Sequence, residues 1–410
     1  MRIWIRLLIG TVLGALLSIF LPAGEDRIIG IVSSAARVVI HAGRYFVFPL
    51  VFFSLAVGTF RLRQDRKLLS VYARTGIYMI LATAGLVAVG ALSIVFLMPE
   101  RIPIIIEEDP LYEIPRFADI VLQAVPANMA EVFAGPGDFL LPVFLLAVFI
   151  GLAFSYDKFA SEPAIVLFDS LSRIFYNLNR FVTEILGIGL IFVAAAFGFE
   201  LRSVVELELF GQLFLILAVD TAIVILVIYP LLIYLLGDRK NPYRWLYGIF
   251  APALTALVSG DSYFSLGMLI RHGRENLGIP RRTSSTTFPL YAMLGHSGTA
   301  MVACISFIVI LRSYSSLDIT LPQVLLAMIY SFAVSFLLGP VPGRGAIVAL
   351  YLLSTFHGRG LEEGYLILRP VAPVLVSVGV LLDVVTSAFI SSVVTKQEDL
   401  DREVEPAGFI

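Results

Sequence analysis

Six stretches of this chain stay apolar for about the length of a bilayer crossing: Ile3 to Leu21, then roughly 28–60, 69–98, 138–155, 165–199 and 209–236. A helical crossing needs about 20 apolar residues. In hydrocarbon every backbone N–H and C=O must be satisfied internally, so long apolar runs can only be helices. Runs well beyond 25 residues imply long or strongly tilted ones. Composition agrees. Hydrophobic residues make up 59% of the 410 and charged residues 15%, against about 25% charged in a soluble domain. That excludes a soluble globular domain, and it excludes disorder. Lys and Arg number 29 against 31 Asp and Glu, a net charge of −2, so no nucleic-acid surface is indicated. The one cysteine, Cys304, lies in an apolar run. It allows no internal disulfide and no cysteine metal site. No cofactor or metal is expected. The first run is longer than a signal-peptide core and ends without a clear small-residue cleavage site, so it reads as the first span.

After residue 236 the pattern changes. Residues 245–258 are apolar, Ser259-Gly260-Asp261-Ser262 interrupts, and apolar character returns to Ile270. Each arm is about half a crossing, which favours a re-entrant hairpin. Residues 284–311 form a full-length segment broken by Gly295-His296-Ser297-Gly298-Thr299. Residues 321–338 and 346–356 make a second broken pair around Gly339-Pro340-Val341-Pro342-Gly343-Arg344-Gly345, and a last segment runs from about 365 to 395. Two broken hairpins, each with a spanning segment, read as an inverted repeat with a midplane site. The expected fold is all-α: eight transmembrane helices plus two re-entrant hairpins.

Loop charge sets the orientation. Arg61, Arg63, Arg66 and Lys67 face only Asp65, and Arg239, Lys240 and Arg244 precede the first hairpin. Both loops are expected in the cytoplasm. The loop with Glu100, Glu107, Glu108, Asp109, Glu113 and Asp119 reads as external. Both termini then lie inside, in a multi-pass plasma (inner) membrane protein. The acidic tail, 397–410, is expected to lack fixed structure.

Ionisable residues within membrane segments are costly and often functional. Glu184 follows Arg180 by one helical turn, so an ion pair competes with a functional role. Asp220 sits mid-run, where a bond to a neighbouring helix is the plain alternative. Asp261 stands at a hairpin tip, a common place for a turn Asp. His296 interrupts a helix. Arg344, between two glycines, could contact substrate, external water or a lipid phosphate. Asp383, within Leu381-Leu382-Asp383-Val384-Val385, has no evident local partner. The Val-Pro-Gly-Arg-Gly turn also exposes backbone N–H groups able to attract an anion.

Several motifs, in order, resemble the dicarboxylate/amino acid:cation symporters, the glutamate-transporter family. They are the segment Phe48 to Gly58; Leu140 to Phe154 with Ile150-Gly151-Leu152-Ala153; Arg271 through Arg282; Gly298-Thr299-Ala300; and Val341-Pro342-Gly343 with Gly345-Ala346. The resemblance implies a homotrimer in the lipid bilayer, each protomer pairing a scaffold with an elevator-like transport domain. It assigns 1–66 and 138–203 to the scaffold, 67–99 and 204–396 to the mobile part, 100–137 to an external loop and 397–410 to a cytoplasmic tail. It implies a small-molecule substrate held by Asp383, Asp261, Ser262, Thr299, Gly343, Thr386 and Ser387.

The departures from the family pattern matter as much. Sodium-ligand positions of the unwound seventh helix read Gly295 and Ser297, with His296 between them. On the last helix, Asp383 matches the family's amine-binding Asp. The family's Arg becomes Thr386, its Asn becomes Ile390 and its sodium-binding Asp becomes Val394. Apolar Ile390 and Val394 offer no side-chain oxygen to a hard cation. The expectation is a secondary active transporter of a small amino acid or carboxylate with weakened or lost sodium coupling. Arg344 would supply the missing positive charge to a substrate carboxylate. His296, Asp261, Asp220 and Glu184 are the proton-coupling candidates. A membrane receptor and an anion channel on the same scaffold are the alternatives. No catalytic residues are expected, because no metalloprotease helix, nucleophile elbow or phosphate loop is found.

Overall fold

The computed structural model describes residues 2–21, 26–97, 99–103, 122–123, 125–134, 139–204, 207–236, 241–315, 319–358, 360–400, 404 and 409–410. Most of the acidic loop, together with Arg239 and Lys240, lies outside the described residues.

The apolar runs become helices, since helix closes every backbone hydrogen bond within the segment. In chain order they are α1 (Ile3–Phe20), α2 (Asp26–Tyr45), α3 (Val47–Gln64), α4 (Leu68–Leu97), α5 (Leu141–Ala153), α6 (Lys158–Arg202) and α7 (Gly211–Ile223). A π-helical turn, Val224–Ile228, joins α7 to α8 (Tyr229–Leu236). Then follow α9 (Tyr243–Gly248), α10 (Phe250–Ser259), α11 (Ser262–Glu275), α12 (Arg281–Leu294) and α13 (Ser297–Tyr314). The chain closes with α14 (Leu321–Ser335), α15 (Gly345–His357), a 3-10 segment Gly364–Val371 and α16 (Ala372–Gln397).

Seven helical segments among the described residues are long and apolar enough to cross a membrane. The eighth expected span, 138–155, holds a shorter apolar helix: α5 has 13 residues, about 20 Å at 1.5 Å per residue. Its start is set by Pro142 in the first turn. Its end is set by Asp157, whose side chain accepts from the Ala160 N–H at 3.0 Å and starts the next helix. α6 is longer than its apolar run because this cap starts it before the apolar residues begin.

Two helical hairpins stand where the polar breaks placed them. Hairpin 1 is α10 and α11, turning at Gly260 and Asp261; hairpin 2 is α14 and α15, turning through 336–344. Arms of 10, 14, 15 and 13 residues are each shorter than a crossing. Gly260 has φ +60°, a left-handed conformation that a side chain disfavours.

The helices α12, α13 and α16 are buried at the centre, while α1, α4, α6 and α7 show large apolar side chains outward, among them Phe20, Leu69 and Phe96. An apolar exterior of this extent fits lipid. A second, smaller core ties α1 and α6 to hairpin 1 through Leu7, Leu190, Phe264 and Met268.

The expectation of an unstructured tail is corrected at its described residues. Phe409 is buried, stacked on Tyr247 at 5.7 Å, and the Ile410 N–H donates to Asn276 Oδ1 at 3.1 Å. Glu398 is held by Lys67, Ser70 and Arg74. An aromatic ring buries more favourable area than a few acidic neighbours can oppose. Phe409→Ala is expected to loosen this attachment by about 2 kcal/mol, measured as faster hydrogen exchange at the Ile410 amide.

Candidate functional site

The broken helix sets the centre of the site. α12 ends at Leu294 and α13 begins at Ser297, leaving Gly295 and His296 in extended and irregular backbone. The first N–H groups of α13 therefore have no partner within their own helix. Asp383, on the facing turn of α16, supplies one. Its Oδ1 accepts from the Gly298 N–H at 2.7 Å and the Thr299 N–H at 3.3 Å, and its Oδ2 accepts from the Thr299 hydroxyl at 2.6 Å. Asp383, without a local partner, caps α13 from another helix. A carboxylate there is favoured by the helix dipole as well as by the hydrogen bonds. The close approach needs glycine. A Cβ on Gly298 would lie 2.2 Å from Leu382 Cβ.

The hairpin tips close over the same region. The Ser262 N–H donates to the Pro342 carbonyl at 3.1 Å, joining hairpin 1 to hairpin 2 through main chain. The two tips therefore meet. A Cβ on Gly345 would sit 3.4 Å from Thr299 Cγ2, so hairpin 2 also reaches the start of α13. Gly260 lies against Val376 and Ser377 of α16.

Asp261 does two jobs at the tip. Its Oδ1 accepts from the Phe264 N–H at 2.7 Å, capping α11. It also pairs with Arg44 of α2, whose Nε donates to Oδ1 at 3.0 Å and whose second prong reaches Oδ2. Arg44 was missed in the sequence. Its signal was present, since Arg44 and Arg37 are the two guanidiniums inside the run 28–60.

Hydroxyls fill much of the remaining space. Ser297 Oγ bonds Thr83 Oγ1 of α4 at 2.8 Å, and the Ser297 N–H donates to the Tyr291 hydroxyl at 3.3 Å. Ser391 donates to Thr287 at 2.8 Å. Thr386 bonds the Tyr229 hydroxyl. Ile390 and Val394 are fully buried in the apolar core. Two buried polar atoms here have no hydrogen-bond partner among the described residues: Ser387 Oγ and His296 Nδ1. The His296 ring faces the backbone of Ser335 in hairpin 2. Buried orphans of this kind call for a ligand, a water or an ion.

Three expected site residues lie elsewhere or face outward. Asp220 bonds Ser93 of α4, one turn before the π-helical segment. Glu184 is partly exposed and pairs with Arg271 of hairpin 1 at 3.0 Å and with Arg180 at 3.6 Å. Arg344 is exposed at the second tip, beside Gly343, whose Cβ position would lie 3.4 Å from Asp261 Oδ2.

Residues 3–397 match the sodium:dicarboxylate symporter family. The proton/glutamate-aspartate symporter of Bacillus subtilis (strain 168) is 25% identical over 98% of this chain and 96% of its own length. The human neutral amino acid transporter B(0) is 27% identical over 53% of this chain, and human neutral amino acid transporter A is 23% identical over 52%. The chain spans about two fifths of the length of these two human relatives, 40% in each case.

Proposed function

Because the chain belongs to the sodium:dicarboxylate symporter family, we propose that it is a secondary active transporter that moves a small amino acid or related carboxylate, with sodium coupling weakened or lost. The observation that carries this reading is the convergence of both hairpin tips, the start of α13 and Asp383 on one buried region. Binding sites in transporters form where broken helices meet, because their free helix ends hold charged groups without full solvation. Asp383 is the group for a substrate amine, and Arg344 the group for its carboxylate. Asp261, Ser262, Thr299, Gly343, Thr386 and Ser387 complete the shell. The unpaired Ser387 hydroxyl supports that assignment.

Loss of sodium coupling rests on chemistry. The family's cation positions hold Gly295, Ser297, Ile390 and Val394. Ser297 pairs with Thr83, and the two apolar residues are buried in the core. A hard cation needs several oxygen ligands. His296, with an orphan ring nitrogen, is the leading proton carrier, and Asp261, Asp220 and Glu184 are the others.

Transport proceeds by an elevator movement in a homotrimer. The mobile part comprises 67–99 and 204–396, against a scaffold of 1–66 and 138–203. The contacts across that division suit it. They include ion pairs, Arg44 with Asp261 and Arg271 with Glu184, which can break and re-form. Both termini lie on the cytoplasmic face of the plasma membrane. Arg2 and Phe409 both contact Tyr247, which supports a shared side.

The test is uptake and counterflow in liposomes, with calorimetric titration of amino acids and dicarboxylates. Substrate affinity is expected to change less than tenfold, about 1.4 kcal/mol, when sodium is replaced by choline or potassium. A larger gain in sodium overturns the coupling claim. Binding without counterflow favours a receptor, and ohmic, unsaturable current a channel.

A further inference from the structure

Away from the hairpin tips, the densest positive charge among the described residues lines a cavity of about 860 Å³. It lies where α6, the base of hairpin 1, the start of α12 and the end of α3 meet. Arg61, Arg173, Arg180, Arg274, Arg281 and Arg282 line it, with one carboxylate, Glu275. Three more carboxylates touch these arginines. Asp169 holds Arg61 at 2.9 Å, Arg173 at 2.9 Å and Arg281 at 3.0 Å; Glu184 reaches Arg180; Asp65 holds Arg282. Among the described residues, six guanidiniums less four carboxylates leave two positive charges in excess. Buried Arg271, shared between Glu184 and Glu275, makes the excess three. Each guanidinium carries five donors, and one carboxylate cannot occupy those of three arginines.

The position of two of these arginines identifies the anion. Arg173 and Arg180 are exposed, at 69% and 54% of the side chain. They stand one residue before Ile174 and Phe181 on α6. Leu167, Ile174, Phe181 and Ile188 recur every seventh residue, all more than half exposed. This is an apolar stripe along one helix face, running past the arginine cavity. Arg61 also belongs to the loop whose charge assigns it to the cytoplasmic side.

We propose that this cavity binds the phosphate of an anionic phospholipid, with an acyl chain lying along the α6 stripe. Arginine forks match phosphate oxygens two at a time. Basic pockets between membrane helices on the cytoplasmic side suit such headgroups. The site holds α6 and the start of α12 together, so a bound lipid braces one arrangement of the helices. It goes beyond the transport reading and does not depend on it.

Native mass spectrometry of the full chain from nanodiscs tests this, using phosphatidylcholine with and without phosphatidylglycerol. Phosphatidylglycerol is expected to be retained over phosphatidylcholine by roughly tenfold or more. The double variant Arg173→Gln/Arg180→Gln should lose most of that preference, while Arg202→Gln, at the other end of α6, should keep it. Phosphatidylglycerol should also raise the melting temperature of the parent protein more than that of the double variant. Equal retention of the two lipids overturns the proposal, and this comparison needs no substitution. So does displacement of phosphatidylglycerol by soluble pyrophosphate, which makes the cavity a site for a soluble anion. A double variant that changes oligomeric mass with lipid preference intact assigns the stripe to a second copy of the chain, and also overturns it.

Discussion

Asp383→Asn is expected to cut uptake by at least about 30-fold, while the protein still purifies and melts within a few degrees of the parent. Removing one charge from a buried hydrogen-bonded pair typically weakens binding by about 2–5 kcal/mol. The asparagine is informative because of the geometry around residue 383. Its side-chain oxygen can still accept from the Gly298 and Thr299 N–H groups, and its amide can donate to the Thr299 hydroxyl, which is free to turn. The cap on α13 survives and the charge does not. Asp383→Ala removes both. It leaves two N–H groups and a hydroxyl unsatisfied at a buried helix end, and should destabilise by about 3 kcal/mol or more. Uptake and thermal melting of both variants, measured side by side, separate the two roles. Normal transport by Asp383→Asn would falsify the amine assignment and leave Asp383 a purely structural cap.

The second large effect is at the first hairpin tip. Arg44→Ala should destabilise by about 3 kcal/mol, because it strands a carboxylate that is only 5% exposed. Asp261→Asn should do less. Arg44 is 17% exposed and on a helix rim, so its guanidinium can turn to water, and asparagine can still cap the Phe264 N–H. A double-variant cycle on melting should show the pair coupled by more than 1 kcal/mol, since residues in one network do not add. Additive effects, or a larger loss from Asp261→Asn than from Arg44→Ala, contradict the pairing. In the elevator movement proposed above, Arg44 falls in the scaffold and Asp261 in the moving part. Breaking the pair should therefore also change how fast the protein exchanges substrate.

What was legible in the sequence was whatever has local causes. The break at Ser259-Gly260-Asp261-Ser262 became a turn between α10 and α11, and the break at Gly295-His296 became the gap between α12 and α13. Hydropathy and turn residues act on their own neighbourhood, so these boundaries follow from them. Segment 138–155 misled because apolar content alone does not show where a helix starts and stops; Pro142 and Asp157 decided that. The partners of charged residues were not legible. Arg44 and Asp261 are 217 positions apart, and Asp383 and Thr299 are 84 apart. No periodicity links such pairs; only the packing of helices brings them together. The tail misled for the same reason, since its acidic composition carries no sign of the slot at Tyr247 that accepts Phe409.

The bond from the Ser262 N–H to the Pro342 carbonyl is made wholly of main chain. Proline has no N–H, so position 342 can only accept. Apart from proline at 262, no side-chain exchange at the tips removes either atom of this bond. An alanine scan leaves both atoms of the bond in place. Only an edit to the backbone itself reaches it, such as proline at 262 or an ester in place of that amide.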